Sequence, residues 1–220
     1  MIVSDVQKQV NQKIQKNVRI KICGITSVAD ALIAIDAGAD AIGLVFYEPS
    51  PRCVNVEQAH AIAQAVGPFV TVVALFVNAD KATIENVLQQ VPIHLIQFHG
   101  NESAEFCEQF ARPYLKALRM REDIDLEKVI HRFTSAAGIL LDAYTPGLPG
   151  GTGETFDWKR VPSDSTRPII LAGGLTPENI REAVLQTNIY GVDVSGGVER
   201  APGIKDALKI QSFIRSANWI

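Results

Sequence analysis

After residue 17 the chain repeats one unit: a short β-rich run, a polar or glycine-bearing break, then a helical pattern. The runs fall at 18–25, 41–46, 69–77, 94–99, 114–120, 138–142, 168–173 and 191–195. Their apolar content is nearly continuous, as a parallel strand buried on both faces requires. Between them the i, i+3, i+4, i+7 spacing recurs at Ala59, Ile62, Ala63 and Val66, and at Ile84, Val87, Leu88 and Val91. It returns at Ser103, Phe106, Cys107 and Phe110, and in shorter form at Leu126, Val129, Ile130 and Phe133. Asn55 and Gln58 are spaced as a capping box, Asp80 and Asn101 precede the next two patterns, and Thr176-Pro177 reads as an N-cap followed by proline. After the sixth run the pattern changes to a glycine-rich loop and a short helical stretch at 156–161. Eight βα units in about two hundred residues predict a single-domain (β/α)8 TIM barrel over residues 18–220. A doubly wound open sheet is the alternative; strands of similar length with no change of composition midway favour closure.

Residues 1–17 stand outside the rhythm. Val3, Val6, Val10 and Ile14 would line one face of a short helix, so this segment is expected to be an amino-terminal extension. Of the 220 residues, 47% are hydrophobic and 20% charged, enough to build a sizeable core. A net charge of -3 leaves no basic footprint for nucleic acid. Cys23, Cys53 and Cys107 are odd in number and far apart, which argues against a disulfide framework and for a reducing compartment. No CxxC or CxxxH cluster suggests a metal site. No apolar run is long enough to span a bilayer, and the amino terminus lacks the apolar core of a signal peptide. The expectation is a cytoplasmic protein without membrane or nucleic-acid partners, monomeric by default, with a homodimer as the alternative.

The chemistry-bearing residues collect at the carboxyl ends of the runs, where barrel enzymes place their sites. Cys23 shares a strand face with Arg19 and Lys21, because side chains alternate along a strand. It is either a small buried hydrophobe or a thiol whose pKa is lowered by Lys21 or by a helix N-terminus. Asp142 closes an apolar run; it either holds a proton for acid catalysis on a raised pKa or caps the turn before Pro146. A thiol and a carboxyl facing each other suit proton transfer better than hydrolysis. Arg52 follows the second run and His99 ends the fourth. Gly173-Gly174 and Ser195-Gly196-Gly197 follow the seventh and eighth, the pair of loops from which many barrels build a phosphate site; tight turns alone are the other reading. Thr26 and Asn78 read as caps or turn residues, Cys107 as core, Cys53 as a loop thiol, and His60, His94 and His131 as structural or exposed. Lys116, on the fifth run, admits a Schiff-base aldolase as a rival. A non-catalytic sugar-phosphate binder is a second rival.

Six stretches, taken in order, resemble the phosphoribosylanthranilate isomerases: KICGIT at 21–26, FYEPSPR at 46–52, QFHG at 97–100, LD at 141–142 with GGTG at 150–153 and FDW at 156–158, LAGGLTPEN at 171–179, and GVDVSGGVE at 191–199. Gly196 stands where many members carry serine, Glu48 where a Pro-Lys pair is frequent, and residues 1–17 have no counterpart in a minimal member. The resemblance implies an aldose–ketose isomerase of tryptophan biosynthesis that uses no cofactor and no metal. Its substrate would be N-(5-phosphoribosyl)anthranilate, and its product 1-(2-carboxyphenylamino)-1-deoxyribulose 5-phosphate. The resemblance further implies Asp142 as general acid on the ribose ring oxygen and Cys23 as general base at the sugar C2. Arg52 would pair with the anthranilate carboxylate and His99 would line the site. Gly173, Gly174, Asp193, Ser195, Gly196 and Gly197 would bind substrate, the glycine loops its phosphate. Residues 146–153 would form a mobile flap.

Overall fold

The computed structural model describes residues 18–143 and 155–218. Eight parallel strands close into a barrel in chain order. They are β1 (Arg19–Cys23), β2 (Ala41–Phe46), β3 (Thr71–Phe76), β4 (Leu95–Phe98), β5 (Tyr114–Arg119), β6 (Gly138–Asp142), β7 (Ile169–Leu171) and β8 (Gly191–Val194). Helices α1 (Val28–Asp36), α2 (Val56–Ala65), α3 (Lys81–Gln90), α4 (Ala104–Cys107) and α5 (Leu126–Ile130) follow the first five strands. A 3-10 turn, Trp158–Arg160, lies between β6 and β7; α6 (Ile180–Gln186) precedes β8 and α7 (Ala207–Asn218) closes the chain. A small antiparallel pair, β9 (Glu199–Ala201) and β10 (Ile204–Lys205), sits between β8 and α7. The residues 1–17 extension and the 146–153 flap lie outside the described residues.

Register decides which side chains point inward. Lys21 pairs with both Ala41 and Asp193, Cys23 with Gly43, Leu75 with Gln97, Ala117 with Leu140, and Arg119 with Asp142. Partners in a parallel ladder share a face, so these residues form the interior set. Leu115, Ala117, Leu140, Ile170 and Ala172 make one apolar layer there, and Cys23, Val45 and Leu75 another. The alternate residues, among them Ile22, Ile42, Leu44, Phe76, Ile96, Phe98 and Ile139, are fully buried against the helices. Burial on both faces is why the runs do not alternate. Phe98 meets Phe106, Phe110 and Tyr114 at centroid distances of 6.1, 5.7 and 5.7 Å, which anchors the short α4 to the strands.

Several element boundaries differ from the sequence reading. The Asn55–Gln58 capping box forms and Asp80 caps α3. The third strand starts at Thr71, leaving Phe69 in the preceding turn, 97% exposed. Helix α4 spans four residues and is capped by Ser103, not Asn101, whose backbone N–H instead donates to Asn78 Oδ1. Thr176-Pro177 opens a turn rather than a helix: Asn179 Oδ1 accepts from Thr176 N at 2.8 Å, and α6 begins at Ile180. The cap of α1 is Ser27, while the Thr26 hydroxyl donates to Gly203 O at 2.6 Å and ties β1 to the turn between β9 and β10.

Candidate active site

A cavity of about 720 Å³ opens at the carboxyl ends of the strands. It is lined by all ten residues singled out in the sequence: Cys23, Arg52, His99, Asp142, Gly173, Gly174, Asp193, Ser195, Gly196 and Gly197. They come from six strand ends, so closure of the barrel is what assembles them.

Cys23 is buried at the end of β1. Gly43 makes room for it: a Cβ there would stand 2.6 Å from the thiol sulfur and 3.1 Å from Lys21 Cε. Lys21 Nζ donates to Asp193 Oδ1 at 2.8 Å, with both groups buried. Burial works against the Lys21 charge, but Asp193 and Cys23 together outweigh it and hold Lys21 protonated above its ordinary range. For the thiol the balance goes the other way. Burial pushes Cys23 up, Asp193 adds to that, and the pull from Lys21 does not reverse it. Of the two readings the sequence left open for Cys23, a thiol lowered by Lys21 is therefore the one that fails: desolvation disfavours the thiolate, and Asp193 adds to it.

Asp142, also buried, ends β6 three strands away around the barrel. His99, one residue past β4, is hydrogen-bonded through Nε2 to Asp142 Oδ2 at 3.0 Å. His99 thus acts on the carboxyl directly and does more than line a wall.

Arg52 lies in the loop after β2, and Glu199 at the start of β9 grips it with two bonds, Nε to Oε1 at 2.8 Å and Nη2 to Oε2 at 2.7 Å. Such a fork fixes the guanidinium plane while engaging two of its five N–H donors. Lys205 Nζ also reaches Glu199 Oε1, at 2.9 Å. Burial alone would raise the Glu199 pKa; Arg52 and Lys205 together outweigh it and hold the carboxylate below its ordinary range. Burial pushes Lys205 down despite Glu199. Glu199 and Lys205 were missed from sequence as site residues, although Glu199 closes the 191–199 stretch.

The glycine loops pack backbone on backbone. Gly173 has φ +81° and Gly174 φ +63°, conformations that favour glycine. A Cβ at Gly197 would collide with the Leu175 carbonyl. The two loops can therefore lie side by side and turn main-chain groups to the cavity, an arrangement suited to an anion.

Other candidates fall outside. Lys116 points away from the barrel axis and pairs with Glu102 at 2.7 Å, sealed under Phe133. Burial pushes the Cys107 thiol up to about 12, leaving it inert. His94 Nδ1 accepts from Val72 N, and His60 Nδ1 contacts Gln90 O.

The family model described as N-(5'-phosphoribosyl)anthranilate isomerase matches residues 20–216. This chain belongs to the phosphoribosylanthranilate isomerase family. It is 59% identical over 202 residues to the N-(5'-phosphoribosyl)anthranilate isomerase of Cellvibrio japonicus, covering 92% of this chain and 94% of that one. The phosphoribosylanthranilate isomerase structure from Thermotoga maritima superposes with a TM-score of 0.85 at 39% identity, over 92% of this chain and all of that one. Another isomerase structure, at TM-score 0.80, 37% identity and the same coverage, holds reduced 1-(o-carboxyphenylamino)-1-deoxyribulose 5-phosphate. Within the isomerase family, then, the barrel is the shared frame on which this chain's own contacts are built.

Proposed function

We propose that this protein isomerises N-(5-phosphoribosyl)anthranilate to 1-(2-carboxyphenylamino)-1-deoxyribulose 5-phosphate in tryptophan biosynthesis, with Asp142 as general acid and Cys23 as general base. The observation that carries the assignment of roles is the meeting of Cys23, Asp142, Arg52 and the two glycine loops in one cavity. The protonated Asp142 carboxyl gives its proton to the ribose ring oxygen as the C1–O bond breaks, and the nitrogen lone pair forms a cationic C=N bond. The Cys23 thiolate then removes the C2 proton, and the C–H electrons flow toward nitrogen to give a neutral enolamine. Tautomerisation leaves a ketone at C2 and a reduced C1, so the redox change is internal to the sugar. The cationic C=N group favours the thiolate at the moment it is needed, offsetting the burial that raises the resting thiol.

Arg52 pairs with the anthranilate carboxylate through donors that Glu199 does not engage. Gly173, Gly174, Ser195, Gly196 and Gly197 receive the phosphate, Asp193 holds Lys21 beside the thiol, and His99 supports Asp142. The same reading makes residues 18–220 the catalytic domain and 1–17 an extension, in a cytoplasmic monomer. An aldolase using Lys116 is disfavoured, because that amine is paired with Glu102 outside the cavity. The test is Cys23→Ala, which should bind a product analogue with wild-type affinity and show no turnover. Turnover at the wild-type rate would remove Cys23 from the reaction.

A further inference from the structure

Gln97 is fully buried inside the barrel, on β4, two residues before His99 and on the same strand face. Its Nε2, which can only donate, faces His99 Nδ1 at 2.9 Å, and His99 Nε2 lies 3.0 Å from Asp142 Oδ2. Its Oε1 is buried without a hydrogen-bond partner among the described residues. A methionine would fill that space without the penalty of an unpaired amide oxygen. What the amide supplies instead is one N–H aimed at an imidazole nitrogen.

That N–H constrains the ring. A neutral imidazole has one donor and one acceptor nitrogen, whereas an imidazolium has two donors. A donor facing Nδ1 keeps Nδ1 bare and places the single ring proton on Nε2, toward Asp142. It opposes the imidazolium, whose Nδ1–H would meet another N–H. The consequence reaches the acid, because a carboxyl beside an imidazolium gives up its proton more readily. The main chain around His99 is held independently: His99 N donates to Phe76 O at 2.9 Å, and Glu102 accepts from Gly100 N at 2.9 Å and from Lys116 Nζ at 2.7 Å. With the backbone fixed, Gln97 selects which ring nitrogen carries the proton.

We infer that Gln97 is a positioning residue that holds His99 as the neutral Nε2–H tautomer, so that Asp142 works as an acid beside a neutral donor. The inference rests on the reading of Asp142 as general acid. The test combines nitrogen-15 imidazole spectra of the whole protein at neutral pH with steady-state kinetics. The chain has four histidines, and His99→Asn identifies the His99 signals by their loss. Wild type should show Nε2 protonated and Nδ1 bare at His99. Gln97→Glu presents a carboxylate to Nδ1; it should protonate both ring nitrogens and lower kcat by about 10²-fold, the scale of a general acid's contribution, with KM unchanged. Gln97→Met keeps the volume but removes the N–H; it should give mixed His99 protonation and a smaller loss in kcat, and it serves if Gln97→Glu does not fold. A protonated Nδ1 in wild type would overturn the inference, as would a doubly protonated His99 in Gln97→Glu with wild-type kcat. A wild type without turnover would instead sink the isomerase reading, while the spectrum would still test the hold of Gln97 on His99.

Discussion

Cys23 is the residue where sequence and structure part most clearly. Proximity to Lys21 was legible from the strand alternation, but the partner that claims the lysine, Asp193, lies 172 positions away. Only barrel closure brings that carboxylate in, so the sign of the thiol shift could not be read from the local sequence. The raised thiol predicts its reactivity: little thiolate exists at neutral pH, and the fraction grows as pH climbs through the raised pKa. In a Cys53→Ser background, with Cys107 buried and inert, alkylation of Cys23 by a haloacetamide should still be accelerating at pH 9.0, the ordinary thiol value. A rate that levels off well below that pH would show a lowered thiol instead. For Arg52 the expectation concerns binding. Arg52→Ala should raise KM by an amount worth about 1.5–3 kcal/mol, the scale of a charged hydrogen bond. An unchanged KM would place the substrate carboxylate elsewhere.

At the scale of elements, the eight strands were legible because burial on both faces leaves long apolar runs. Pairing β9 with β10 was not, since three- and two-residue strands carry no period to detect. Yet that small hairpin supplies Glu199, which joins the β2 loop to Lys205 through Arg52. Because the Glu199 pKa is lowered on folding, its contribution to stability is complete above the ordinary carboxylate range and is lost as pH falls through the lowered value. Glu199→Gln leaves Lys205 buried without its counter-charge, so urea unfolding at neutral pH should show a loss of about 3–5 kcal/mol. KM should rise with it, as Arg52 loses its fixed plane. A variant as stable as wild type would mean that the ion pair only breaks even with its own desolvation.

At the scale of the whole molecule, closure follows from the count and even length of the runs, and the cavity follows from closure. Among the described residues no helix is long and apolar enough to cross a membrane. Among the described residues the most exposed large hydrophobics, Phe69 before β3, Leu185 on α6, Tyr190 before β8 and Leu208 on α7, are spread over several segments, while Val28 and Leu32 sit one turn apart on α1. Sedimentation equilibrium should give the mass of one chain; twice that mass would make the protein a homodimer. The central claim is that the carboxyl of β6 and the thiol of β1 work as an acid–base pair on one sugar phosphate. Its most direct test is turnover of N-(5-phosphoribosyl)anthranilate, generated in situ, by wild type beside Asp142→Ala. The account predicts rapid conversion by wild type and none by the variant. Binding without conversion by wild type, or full activity in Asp142→Ala, would contradict it.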